Sequence, residues 1–235
     1  MKARLAAQQT RYSEAMTASA PRRARRSEKG ELASQRILEA SRRLIAQGGL
    51  ASLSHRAVAQ EAGVQLAMVS YYFGSLDGLI EATFDAYVER TQPYRDALAQ
   101  GAQALCIQHL SQERSPSTLR ACAEGLADLV TEYILTEFTE RRSELELECH
   151  FLFELNAPDS LSNKVEELNQ NLIQMVASFC TELGSPAPLL DAQLVVAAIH
   201  FYEFSDVAAR RRLDREGIRS SLLRLFAGIC MAEAH

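Results

Sequence analysis

The segment that most constrains this chain is residues 54–73, SHRAVAQEAGVQLAMVSYYF. Two short helices that meet at a sharp angle need a small residue where they cross. They also need a turn residue that tolerates positive φ, and apolar residues on both inner faces. Ala59 meets the first need, Gly63 the second, and Val58, Ala62, Val64 and Val69 the third. Ser54 is suited to cap the first helix. The spacing predicts a helix-turn-helix packed against a preceding helix. In that helix Ile37, Ala40, Ser41, Leu44 and Ile45 recur at three- and four-residue intervals, and Gly48-Gly49 supplies the stop.

The second short helix would expose Gln65, Leu66, Ala67, Met68, Ser70 and Tyr71. Gln bonds adenine edges, Ala and Met pack on thymine methyls, and Ser and Tyr hydroxyls reach phosphate oxygens. No acidic residue lies between Ala62 and Phe73, as a helix offered to a phosphate backbone requires. The formal net charge of −5 conceals a matching asymmetry. Residues 1–80 carry +6, from 12 Lys+Arg against 6 Asp+Glu, and residues 81–235 carry −11, from 13 against 24. One end is therefore suited to a polyanion and the remainder is not. Residues 1–30 lack apolar periodicity and read as a mobile tail. Its Arg22, Arg23, Arg25 and Arg26 form either a solvated charge run or an arm lying along nucleic acid.

Beyond residue 75, apolar helical periodicity runs over 76–112, 117–138, 140–156, 159–183, 188–209 and 215–233, with prolines at the joints. A bend or break is expected near Pro93 and Gly101. Alternating β-branched runs are missing, so the class is all-α. A chain of 235 residues buries a sizeable core without disulfides. Its five cysteines form no CxxC pair and read as reduced thiols of a cytoplasmic protein. No apolar run reaches the roughly 18–20 residues that span a bilayer, and no signal-type hydrophobic region opens the chain.

Residues 31–91 resemble the DNA-binding domain of the tetracycline-repressor (TetR) family of transcriptional regulators. The resemblance is carried by Ile37 to Ala46, Gly49, SHRAVAQEAGV and YYFGSLDGLIEA, above all by Tyr72-Phe73 followed by Ser75 and Leu79. It implies a three-helix reading unit in which Ser54, Arg56 and Tyr72 meet phosphates and Gln65 to Tyr71 face the groove. It also implies that residues 92–235 form a larger helical domain that binds a small-molecule effector and dimerises through its last two helices. Two positions depart from the family pattern. Leu76 stands where many members have Lys, and Gly78 where a capping-box Glu is common.

The expected function is a ligand-responsive DNA-binding regulator, a repressor released by a small molecule, with no cofactor, metal or membrane partner. Reading a palindromic double-stranded operator needs two recognition helices roughly 34–36 Å apart, hence a homodimer. The wide apolar faces of 188–209 and 215–233 suit such an interface. The alternatives are a protein-binding module that keeps this fold, and an all-α enzyme, for which no GxSxG, HExxH, P-loop or GxGxxG pattern appears. Candidate ligand residues are His150, Phe153 and Glu154 in SELELECHFLFELNA, and His200 in VVAAIHFYEF. Glu146 and His150 share a helix face, but with no further ligand pair they read as a surface Glu and a hydrogen-bonded His. His200 is either a satisfied interior histidine or a polar group on a pocket wall.

Overall fold

The computed structural model describes residues 28–111, 114–209 and 214–231, without the side chains of 28, 29, 206–209 and 231. Arg22, Arg23, Arg25 and Arg26 lie outside the described residues, as does most of the charged stretch after Ala209. The chain divides into an N-terminal unit, Met1–Arg36, and a second unit, Ile37–His235. Of the first, only the opening turns of a helix are described.

Every described element is helical: α1 (Glu28–Gly48), a 3-10 turn (Leu50–Ser52), α2 (His55–Ala62), α3 (Leu66–Phe73), α4 (Leu76–Leu110), α5 (Pro116–Glu140), α6 (Arg142–Leu152), α7 (Asp159–Leu183), α8 (Pro188–Ala209) and α9 (Arg215–Met231). The helix ends follow local chemistry. Ser54 caps α2 by accepting from the Ala57 amide at 3.1 Å. Gly63 ends α2 in the left-handed region, φ 63°, where an L side chain is strained. Ser115 and Thr118 form a reciprocal capping box at α5, with Pro116 in the first turn.

Helix α4 runs unbroken through Pro93 and Gly101, contrary to the expected bend or break. Proline removes one amide donor from the helix ladder. In the turns before Pro93 other donors are present: the Thr91 hydroxyl donates to the Tyr87 carbonyl at 2.9 Å, and Arg95 donates to that of Val88 at 3.1 Å. Gly101 serves packing. A Cβ there would sit 3.1 Å from the Leu129 methyls on α5, and one at Gly125 would sit 2.8 Å from a Leu105 methyl on α4. The two glycines let α4 and α5 approach closely along this seam.

Two buried clusters organise Ile37–His235. One joins the later turns of α4 to α5, α7, α8 and α9, around Ala123, Ala127, Ala192 and Leu222. The other holds Ile37, Ile45, Val58, Ala59 and Val69 of the helix-turn-helix together with Phe84 and Tyr87 of α4, Leu147 and Phe151 of α6 and Leu161 of α7. Phe151 meets Phe84 edge-on at 5.1 Å and lies 5.7 Å from Tyr87. The boundary expected after residue 91 falls inside α4, which contributes to both clusters. All five cysteines are free, and Cys106, Cys122 and Cys180 are buried. No helix among the described residues is long and apolar enough to cross a membrane.

Phe151→Ala should destabilise the chain by about 3–5 kcal/mol, the usual cost of deleting a buried aromatic ring. Urea unfolding followed by far-UV circular dichroism measures this. A loss below about 1 kcal/mol would mean that the ring does not hold the second cluster together.

Candidate nucleic-acid interface and bundle cavity

The helix-turn-helix presents α3 outward. Val69 is fully buried, and Val64, Met68, Tyr72 and Phe73 pack half-buried on the cluster behind it. Gln65, Leu66, Ala67, Ser70 and Tyr71 are exposed. Met68 is thus the one residue of the expected groove-facing set, Gln65 to Tyr71 without Val69, that turns toward the core. The Tyr71 ring is 79% exposed and edge-on to Tyr72 at 5.0 Å. His55, at the start of α2, lies 3.4 Å from the Ser70 hydroxyl through Nδ1 and so links the two helices. Its role had no signal in the spacing.

The electrostatics of this face suit a polyanion. The carboxylate of α2, Glu61, is paired with Arg43 at 2.9 Å. Exposed Arg56 has no carboxylate partner among the described residues. Helix α4 begins with Leu76 half-buried against the core, and its N-cap Ser75 accepts from the Gly78 amide at 3.0 Å. A Cβ at Gly78 would lie 2.5 Å from the Phe73 carbonyl oxygen. A capping-box Glu therefore does not fit this backbone.

Behind the reader, side chains from α4 to α8 enclose a cavity of about 50 Å³. Its polar groups are Tyr87, Thr91 and Arg95 on α4, Tyr133 and Glu137 on α5, Glu144 and Glu148 on α6, and His200 and Glu203 on α8. The apolar wall formed by Leu98, Met175 and Ile199 is shared with a second void of about 60 Å³ whose lining exposes only apolar surface. Of the four expected ligand residues, His200 alone lines the cavity. The His150 imidazole packs against Gly49, 3.2 Å from where a Cβ would stand there. Phe153 is exposed and stacks edge-on to Phe204 at 5.1 Å. Glu154 accepts from the Asn156 amide at 3.2 Å. Glu146 pairs with Arg142 at 2.9 Å, and no cluster able to hold a metal occurs among the described residues.

The cavity carboxylates fall into two classes. Glu137 is paired with Arg141, and Glu144 accepts from Arg42 of α1 at 3.2 Å with Arg90 of α4 at 3.7 Å. Glu148 and Glu203 have no ion pair among the described residues. Burial pushes both carboxyls above the usual carboxylate range, and the charge of Glu148 adds to the rise at Glu203. Burial likewise raises the Tyr87 and Tyr133 hydroxyls and lowers His200.

The comparisons with known proteins agree with this geometry. Residues 37–83 match the family model for bacterial regulatory proteins of the tetR family. An HTH-type transcriptional regulator BetI from Paraburkholderia phytofirmans is 42% identical over 53 residues, which are 23% of this chain and 27% of that protein. The chain thus matches about a quarter of the length of its curated relatives. Over most of the chain the fold resembles a transcriptional regulator from Rhodococcus sp. Rha1, at TM-score 0.59 and 17% identity, covering 83% of this chain and 95% of that one. It also resembles a TetR-family member from Streptomyces coelicolor A3, at TM-score 0.54 and 24% identity, covering 82% and 97%.

The buried, unpaired carboxylates make a testable demand on stability. A carboxyl raised in the folded chain contributes its full stability below the unfolded value, near 4.5, and loses it as pH rises through the folded value. Glu203→Gln removes that loss, so it should raise Tm at pH 8 and raise it less at pH 5. A lower Tm at pH 8 would mean that the carboxylate is satisfied there. The reading helix and the family model that covers it point one way: residues 37–83 are similar to bacterial regulatory proteins of the tetR family, and the chain as a whole resembles solved transcriptional regulators in fold.

Proposed function

We propose that this chain is a cytoplasmic, ligand-responsive transcriptional repressor that binds a palindromic DNA operator as a homodimer. The observation that carries the reading is α3 itself. It exposes Gln65, Leu66, Ala67, Ser70 and Tyr71 on a helix free of carboxylates. Ser54, Arg56 and the half-buried Tyr72 flank that helix and would meet phosphates, while the α3 residues read base edges. An exposed tyrosine ring costs water-contacting apolar surface and has value where a partner covers it.

Dimerisation has its own support. Helix α8 exposes Leu190, Leu194, Ala197 and Phe201, a stripe at the three- and four-residue spacing of one helix face. A second copy apposed there would bury the stripe and set two α3 helices on successive major grooves. Release by a ligand would work as a population shift. The cavity holds only a few waters' volume, so a larger molecule must part its walls. One of those walls is Tyr87, whose ring packs on Phe84 and Phe151 in the reader's own cluster. Another is Glu144, held by Arg42 of α1. A ligand that moves either residue biases the spacing of the reading helices.

The test is a fluorescence-anisotropy titration of the full chain against DNA fragments flanking its own gene, at several salt concentrations. Affinity should fall steeply with salt. Tyr71→Ala should cost about 1–3 kcal/mol on the preferred fragment, and Arg56→Ala should lower the salt slope by about one. Leu194→Glu should weaken operator binding by separating the two copies. Binding that ignores sequence, salt and all three substitutions would contradict the proposal.

A further inference from the structure

We infer that each half of the operator presents A·T pairs to α3, read through thymine methyl groups by Leu66, Ala67 and the Tyr71 ring and through one adenine edge by Gln65, with no guanine contacted by that helix. The inference rests on the reading of α3 as the helix that meets DNA, and names the base chemistry that this helix takes.

The outward face of α3 is poor in polar recognition groups. The helix reads LAMVSYYF, with no charged residue, Asn or Gln. Val69 is fully buried and Met68 half-buried, which leaves Leu66, Ala67, Ser70 and Tyr71 outward. Leu66 and Ser70 are four residues apart, as are Ala67 and Tyr71, so the four share one face. Leu66 is 52% exposed, and the Tyr71 ring extends the apolar surface one turn beyond Ala67. The Ser70 hydroxyl is turned to α2, where it lies 3.4 Å from His55 Nδ1. Gln65 stands at the N-cap of α3, exposed, and its side chain makes no capping bond. The one arginine between residues 54 and 74, Arg56, belongs to the first turn of α2 rather than to α3.

Each base edge asks for a different side chain. In the major groove guanine shows two acceptors, O6 and N7, and is read by Arg or Lys; cytosine shows an amino donor and is read by Asp or Glu. None of these four residue types stands on α3. A G·C pair beneath Leu66 or Ala67 would have its polar edge stripped of water and given no partner, which is penalised. The thymine C5 methyl is the apolar group that the major groove offers. Covering it with Leu66, Ala67 or the Tyr71 ring removes apolar surface from water on both sides of the contact. Gln65 supplies the bidentate group of this unit, and its amide matches N6 and N7 of adenine. Because Val69 anchors α3 in the core and Tyr72 meets the Tyr71 ring edge-on at 5.0 Å, the face is set before DNA arrives.

The full-length protein should be used to select sites from a random duplex library at fixed salt, and the selection repeated with Leu66→Ala and Gln65→Ala. Both side chains are exposed, so neither variant disturbs the core. Half-site positions whose preference changes in either variant are those beneath α3, and they should be A·T pairs. Deoxyuridine in place of thymidine then removes only the methyl. At these positions each replacement should weaken binding of the unaltered protein about fourfold, the worth of one buried methyl. The loss should shrink in Leu66→Ala at the thymine that Leu66 covers. Gln65→Ala should weaken the adenine preference about tenfold. Guanine at these positions, affinity indifferent to deoxyuridine, or preferences that neither variant changes would overturn the inference while leaving sequence-specific DNA binding intact. A library from which no sequence is enriched would overturn the regulatory reading and the inference with it.

Discussion

The packing of Phe84 and Tyr87 on Phe151 is the contact on which the rest of this structure depends. A helix-turn-helix of some 60 residues buries too little apolar surface to be robust alone. Here its inner residues, Ile37, Val58 and Val69, are completed by rings from α4 and α6. The reader is thereby built into the bundle. The same Tyr87 that closes the reader's cluster puts its hydroxyl at the cavity. A side chain with one surface in each compartment cannot respond to one without disturbing the other, because close-packed interiors deform in steps rather than continuously.

Electrostatics divide the cavity in a way that packing does not. Two of its carboxylates are neutralised by arginines, and one of these, Arg42, belongs to the reader's first helix. The other two, Glu148 and Glu203, are buried without a direct ion pair among the described residues, and the charges of Arg95 and Arg141 offset their burial only in part. That arrangement lowers stability at neutral pH. The small enclosed volume and the apolar void beside it fit the same account. A cavity held closed by Leu98, Met175 and Ile199 opens only at the cost of separating those side chains.

The sequence made the helix-turn-helix legible because its determinants are local. The cap at Ser54, the crossing at Ala59 and the left-handed turn at Gly63 all sit within ten residues. The joints at Pro116, Pro158 and Pro188 were readable for the same reason. Pro93 was misleading, because a proline removes one bond of the helix ladder without compelling a break, and α4 is held on both sides of it by its packing in the two clusters. The cavity was far less legible. Helix α6 sends Leu147 and Phe151 to the reader's cluster and Glu144 and Glu148 to the cavity, and only tertiary packing decides which face goes where. His150, Phe153 and Glu154 were singled out on residue type and lie elsewhere. A usable signal was present in the carboxylates themselves. Glu144 and Glu148 are four residues apart, and Glu203 follows His200 by three within an aromatic, otherwise apolar run.

The central claim is that reader and bundle share one core. Native-state hydrogen exchange tests it most directly, by comparing the opening free energy of the Val69 amide in α3 with that of the Leu147 amide in α6. The account predicts that both exchange only through the same cooperative opening and that Phe151→Ala lowers both by the same amount. Exchange of Val69 through a separate, lower-energy opening that leaves Leu147 protected would contradict it.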